Sequence, residues 1–149
     1  MKAKSGFTLV EILIVVVILG ILAAIVIPQF TEASTEAKLS SLCTDLQTMR
    51  SQIELYKIQH NDALPSSAAV GFELALTGPT EIDGTAGDGT DDYGPYIQKI
   101  PTNQFVDSDG IASGIAASPP IVSDGTVGWY SNTATGAFHA CDSAEHAAL

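Results

Sequence analysis

The stretch FTLVEILIVVVILGILAAIVI, residues 7–27, decides how this chain is organised. Only Thr8, Glu11 and Gly20 interrupt its aliphatic side chains, and Pro28 follows it directly. As a helix, these residues would measure roughly 31 Å, which matches the hydrocarbon thickness of a bilayer. The segment is therefore predicted to span a membrane.

The rest of the chain is polar and acidic. The formal net charge is −11, and it would be −13 without Lys2 and Lys4, which precede the apolar stretch. So acidic a domain disfavours binding to nucleic acid or to anionic lipid headgroups, because both require basic patches. The positive-inside rule places the two lysines in the cytoplasm and the C-terminal domain outside it.

Glu11 is a feature that a plain membrane anchor does not explain. An ionised carboxylate in a membrane helix costs several kcal/mol unless a partner neutralises it. If the chain is cut after Gly6, Phe7 gains an α-ammonium group one helical turn from Glu11. That ammonium is disfavoured at the positive end of its own helix dipole, so pairing with Glu11 of a neighbouring copy would settle both charges. An ordinary secretory signal would instead have a shorter apolar stretch with a small-residue cleavage site behind it.

The string KSGFTLVEI, residues 4–12, resembles the class III signal of type IV pilins and of the pseudopilins of type II secretion. The resemblance implies that a prepilin peptidase cuts after Gly6, that Phe7 is N-methylated, and that Glu11 guides assembly. It is close over residues 1–30 and looser beyond them.

The resemblance and the residue pattern together suggest three regions. Residues 1–6 are a cleaved leader, residues 7–28 a transmembrane and filament-core helix, and residues 29–149 an amphipathic helix with a globular pilin domain. Gly20 and Pro28 fall where the family commonly has a glycine and a proline that loosen the helix, and Pro28 is expected to kink it without ending it.

Beyond Phe30 the apolar residues recur at spacings of three and four, so one helix is predicted from about Thr8 to His60. The core-facing stripe of its second half comprises Leu39, Leu42, Cys43, Leu46, Met49, Ile53 and Tyr56. A short helix is predicted over residues 67–76. Two apolar segments, residues 127–131 and 137–141, flank a Gly-containing turn and predict a β-hairpin. The expected fold class is α+β, a long N-terminal helix packed on a small antiparallel sheet.

Two sets of side chains raise the question of cross-links and metals. An extracytoplasmic location allows Cys43 and Cys141 to form a disulfide, and the alternative is a pair of buried thiols. Asp107, Asp109 and Asp124 are oxygen ligands of the kind that calcium prefers, but their spacing does not match an EF-hand loop. A solvated loop without a cofactor is expected there, and also for the acidic residues 83–92.

Within the family, the layout around Pro95-Tyr96-Ile97 and Gly128-Trp129-Tyr130 resembles the major pseudopilin. Many major pseudopilins carry Pro-Trp-Gly and a C-terminal calcium loop, whereas this chain has Asn103-Gln104-Phe105 and a different tail. His139, Cys141 and His146 match no strong metal or nucleophile pattern, so no catalysis is expected.

The expected function is therefore structural. The mature chain would polymerise with itself into a periplasmic pseudopilus that supports protein export, after processing by prepilin peptidase at the inner membrane. An inner-membrane assembly platform and minor pilin-like subunits would be its other partners. One alternative is a major or minor type IV pilin of a cell-surface filament for adhesion, twitching motility or DNA uptake. The other is a membrane-tethered binding module that never polymerises.

Overall fold

The computed structural model describes residues 6–90, 92–116, 118–122 and 125–149. The chain forms two compact units, one ending at Leu39 and the other running from Ser40 to Leu149. The predicted long helix is present as α1, Leu9–Gln59, and it continues through Pro28. Its first part is exposed along its whole apolar length and is the one described helix long and apolar enough to cross a membrane.

The second unit has its core on one side of α1. Five of the seven residues of the predicted stripe are buried. After α1 the chain forms a short 3-10 turn, Pro65–Ser67, and a second helix, α2, Phe72–Thr77. The predicted helix over residues 67–76 therefore begins later than expected. Of the other two residues assigned to the stripe, Leu39 is exposed and Cys43 is half-buried. The hydrophobic core comprises Leu42, Leu46, Met49, Ile53, Tyr56, Phe72, Ala75, Leu76, Ile100, Trp129, Phe138 and Ala140.

The sheet has three strands in the order β1-β2-β3. They are β1, Ile111–Gly114, β2, Trp129–Asn132, and β3, Phe138–Ala140, and a four-residue helix, α3, Ala144–Ala147, follows. β2 and β3 form the predicted antiparallel hairpin. β1 pairs with β2 in parallel, so the sheet is mixed and not purely antiparallel as expected. The α+β architecture is otherwise as predicted.

The hairpin turn is stabilised by the side chain of Asn132. Its Oδ1 accepts from the amides of Ala134 and Thr135, at 2.9 and 3.0 Å. Gly136 closes the turn at a φ of 77°, a left-handed conformation that favours glycine, and its amide donates to the Asn132 carbonyl at 2.9 Å. The turn thereby places Phe138 and Ala140 in the core.

Arg50 ties the helix to the hairpin. Its Nε and Nη2 donate to the carbonyl oxygen of Phe138, at 3.0 and 2.8 Å. Nη1 donates to the carbonyl oxygen of Leu149, at 3.0 Å. Since Phe138 lies on an edge strand, the guanidinium satisfies a carbonyl that β2 does not.

His60 directly follows α1 and is buried in the second unit. It is 1% exposed and its ring stacks on Tyr56 with centroids 3.7 Å apart. Nε2 lies 3.0 Å from Thr80 Oγ1, and Nδ1 lies 2.9 Å from the carbonyl oxygen of Tyr56. These partners make His60 a structural part of the core.

Candidate functional site

The candidate functional site, which contains the predicted cleavage site and Glu11, lies at the start of α1. Gly6, Phe7 and Thr8 precede the helix, and Glu11 lies in its first turn. The Gly6–Phe7 bond, the predicted cleavage site, is therefore in non-helical backbone. Phe7 is 81% exposed, and a Cβ at Gly6 would meet nothing within 4 Å. Neither residue is buried among the residues that the structure describes.

Thr8 and Glu11 are joined by three hydrogen bonds. Glu11 Oε2 accepts from the amide of Thr8 at 2.8 Å and from its hydroxyl at 2.7 Å. Thr8 Oγ1 in turn accepts from the amide of Glu11 at 3.3 Å. This reciprocal arrangement is a capping box, which satisfies two N–H groups at a helix start. The sequence analysis did not predict it, although its signal, a Thr followed three residues later by a Glu, lies at the start of the apolar run.

The capping box uses one oxygen of the Glu11 carboxylate. Among the described residues, no hydrogen bond reaches the other oxygen, Oε1. The carboxylate therefore has one oxygen bound to its own helix and one that is free to accept from another group. Within the described part of the chain, an ionised Glu11 thus has a hydrogen-bond partner in Thr8 and no ion-pair partner.

The helix beyond this site is apolar and exposed. The large apolar side chains from Phe7 to Ile27 are between 41% and 82% exposed in the subunit, and a Cβ at Gly20 would have open space around it. Pro28 does not interrupt the helix. In water, exposure of so many large aliphatic side chains would cost on the order of tens of kcal/mol.

The acidic residues group differently from the expectation. Carboxylate oxygens of Glu81, Asp88 and Asp92 lie within 4.8 Å of one another. A hydrogen bond with the Asp92 carboxyl raises the pKa of Glu81 above its ordinary value, with burial as the second cause. The structure gathers no comparable group of three around Asp107 and Asp109 within the residues it describes, and Asp124 lies outside them.

Residues at the C-terminal end form structural pairs. Nδ1 of His146 lies 2.5 Å from Asp142 Oδ2, and Asn103 Nδ2 donates to the other oxygen of that carboxylate at 2.8 Å. His139 Nδ1 lies 3.0 Å from the carbonyl oxygen of Ala147. These contacts hold α3 against the preceding strand.

The two cysteines are free thiols, so the disulfide that the sequence allowed is not formed in this structure. The Sγ of Cys141 lies 3.6 Å from the carbonyl oxygen of Val127, where its thiol can donate within the core. Burial raises the pKa of the Cys141 thiol to about 11, and the nearby charge of Asp142 adds to the effect. Cys43 is half-buried on α1.

A thiol-alkylating reagent near pH 7 is expected to label Cys43 and to leave Cys141 unmodified in the native protein. The reason is that the thiolate is the reactive form, and burial keeps Cys141 protonated and covered. Intact mass after alkylation measures this, and unfolding the protein first should give two labels. A native mass that rises on reduction by two hydrogens would instead establish a disulfide.

Comparisons with known proteins find a family motif at the N-terminus. Residues 1–27 match the family model described as the prokaryotic N-terminal methylation motif. The type II secretion system core protein G of Pseudomonas aeruginosa is 42% identical over 79 residues, which are 53% of this chain and 54% of that relative. The match thus spans about half the length of that relative. No solved structure gives a significant match.

Two further relatives define the range of the similarity. The type II secretion system core protein G of Vibrio cholerae is 32% identical over 107 residues, 70% of this chain and 68% of that protein. A fimbrial protein of Pseudomonas aeruginosa is 31% identical over 87 residues, 57% of this chain and 56% of the relative. The Vibrio cholerae match extends well beyond the apolar helix, into the second unit. The chain belongs to the type II secretion system core protein G family.

Proposed function

We propose that the mature chain is a structural subunit that polymerises into the pseudopilus of a type II secretion system and supports protein export without chemistry of its own. The observation that carries the proposal is the start of α1. A capped carboxylate, whose second oxygen accepts no hydrogen bond among the described residues, stands at the head of an apolar segment, residues 7–27, whose large side chains are exposed in the subunit. The relatives named as type II secretion core proteins support the assignment.

The apolar helix has two environments that cover it, the lipid bilayer before assembly and the filament core afterwards. Before assembly, lipid covers residues 7–27, and Lys2 and Lys4 keep the leader in the cytoplasm with the globular unit on the periplasmic side. Prepilin peptidase removes residues 1–6, which exposes the amine of Phe7 for methylation. In the filament, packing against the same helix of other copies replaces the lipid. The assembly platform and minor pilin-like subunits of the inner membrane are the partners of this transfer.

An ion pair between the Phe7 amine of one copy and the Glu11 carboxylate of the next sets how adjacent helices align along the filament. Inside the apolar filament core, the free amine of Phe7 and the Glu11 carboxylate of an adjacent copy each need a counter-charge. Glu11 Oε1 has no bond within the described part of its own chain and is the acceptor. Gly20 and Pro28 act as points where the helix adjusts during packing, because glycine is permissive and proline removes one backbone hydrogen bond.

The protein purified from membranes of its native host is expected to begin at Phe7 and to carry one N-methyl group. Intact mass and N-terminal sequencing measure both. A membrane-tethered binding module that never polymerises predicts a chain that begins at Met1. Recovery of a functional protein with that N-terminus would overturn the proposal.

A type IV pilus is the second candidate, and the similarity to a fimbrial protein favours it. The two filaments differ in where they lie and how long they grow. Electron microscopy of cells that produce the chain at native levels separates them, since a pseudopilus is confined to the periplasm and a pilus extends from the cell surface.

A further inference from the structure

Ile115 projects from the surface of the second unit, although the backbone on both sides of it is fixed. Its side chain is 79% exposed. Before it, Gly114 is held by its pairing with Asn132 of β2. After it, the amide of Ala116 donates to the hydroxyl of Tyr130 at 2.9 Å, and the carbonyl oxygen of Ala116 accepts from Asn132 Nδ2 at 2.9 Å. A large aliphatic side chain is therefore presented to solvent on ordered backbone, which lowers the entropy cost of docking it.

The segment that follows Ile115 lines a groove together with the C-terminal end of the unit. Pro119 and Ile121 contribute from the segment, and Ala144 and Ala148 contribute from α3 and the residue after it. Ile121 is itself 47% exposed. None of the residues that line the groove in the described part of the chain carries a carboxylate, an ammonium or a guanidinium group. The unit thus has an apolar projection and an uncharged recess.

The charge of the chain determines which partner this surface fits. The formal net charge is −13 without Lys2 and Lys4, yet residues 110–122 contain no charged residue. Two copies of so acidic a chain repel each other wherever their carboxylates meet, so they can approach closely only through uncharged surface. A basic partner would instead be attracted to the carboxylates elsewhere on the unit. The uncharged surface therefore fits a second copy of this chain.

We propose that Ile115 of one copy docks in the groove of an adjacent copy when the filament forms. A filament contact is heterologous, so each subunit must carry both of the surfaces that meet. Ile115 and the groove are two such surfaces on one subunit. The inference rests on the proposed function, because it names a contact that the globular units make once their helices have assembled.

Ile115→Asp tests the projection by placing a carboxylate where an apolar side chain would be buried. Filament yield is expected to fall at least about tenfold, as for the loss of an anchor residue at an interface. Leu74→Asp adds the same charge to a side chain that is 52% exposed on α2 and should leave the yield unchanged. The full chain is assembled in membranes with its peptidase and assembly proteins, and sheared filaments are quantified relative to mature subunits.

Paired cysteines test the recess. Ile115→Cys and Ala144→Cys are combined in one chain, and a short bifunctional thiol reagent is added to assembled filaments. The expected result is a ladder of covalently joined subunits on a denaturing gel, which disappears when Glu11→Ala blocks assembly. Each single cysteine variant, which retains Cys43 and Cys141, is the control and should give no ladder. No ladder from the double variant in intact filaments would contradict the docking of Ile115 in the groove.

The outcomes distinguish this inference from the proposed function. Normal filament yield from Ile115→Asp, or an equal loss from Leu74→Asp, would overturn the contact and leave the proposed function standing. Normal yield together with a loss of protein export would mean that Ile115 binds another protein, which also overturns the contact between copies. A wild-type chain that forms no filament under these conditions would contradict the proposed function itself.

Discussion

Glu11→Ala is expected to leave the protein cleaved and in the membrane while filament yield falls by roughly two orders of magnitude or more. Removing one partner of a buried ion pair costs about 3–5 kcal/mol, because the remaining charge is left without compensation. In this filament the remaining charge is the amine of Phe7 in the adjacent copy. Each added subunit would meet that cost, so the effect accumulates along the fibre. The measurement compares sheared filaments with membrane-bound mature subunit by immunoblot.

Two control variants sharpen the test at Glu11. Glu11→Gln keeps the size of the side chain and the capping box, for which glutamine also serves, but removes the charge. It should therefore lower filament yield nearly as much as alanine. Glu32→Gln removes an exposed carboxylate farther along the same helix and should leave the yield unchanged. Wild-type yields from the glutamine variant at Glu11 would show that charge is not what the site supplies.

Much of the fold is predictable from spacing alone. The long apolar run and the recurrence of Leu42, Leu46 and Met49 at three and four residues specify α1, because only a helix brings those side chains to one face. The hairpin is equally local. Its turn lies between two short apolar segments, so the antiparallel pairing of β2 with β3 needs no information from elsewhere in the chain.

The parallel pairing of β1 is not predictable in the same way. The strand reads Ile111-Ala-Ser-Gly114, which has no strong alternation of apolar and polar residues. Its partner β2 begins at Trp129, and the connection between the two strands contains no helix or strand among its described residues. The register thus depends on contacts that form between distant segments, and periodicity carries no signal for them.

The burial of His60 is likewise not predictable from local sequence. At the end of a helix, an isolated histidine is most simply interpreted as a solvated cation. Its burial depends on Thr80, 20 residues away, and on the ring of Tyr93, which lies 5.3 Å from it. Capping at Thr8 is the opposite case. A Thr three residues before a Glu is enough to predict a capping box. The sequence analysis considered only charge partners of Glu11 in other subunits.

Trp129→Ala is expected to unfold much of the Ser40–Leu149 unit under conditions where the wild type is stable. Trp129 is 0% exposed on the central strand, and its ring lies 5.4 Å from that of Phe138. Its Nε1 donates to the carbonyl oxygen of Pro101 at 2.7 Å. Truncating a buried tryptophan costs about 3–5 kcal/mol, out of a typical total stability of about 5–15 kcal/mol. The corresponding fall in Tm is about 12–20 °C, measured by circular dichroism of the full chain in detergent.

Two control variants test whether the fall in Tm comes from the loss of a buried side chain. Trp129→Phe retains an aromatic ring but loses the hydrogen bond to Pro101, so its Tm should lie between those of the alanine variant and the wild type. Ile115→Ala removes an aliphatic side chain that is 79% exposed and should leave Tm nearly unchanged. A Tm for Trp129→Ala within about 3 °C of the wild type would mean that the sheet is not packed on α1 through this residue, because a hole of that size in a close-packed core cannot be neutral.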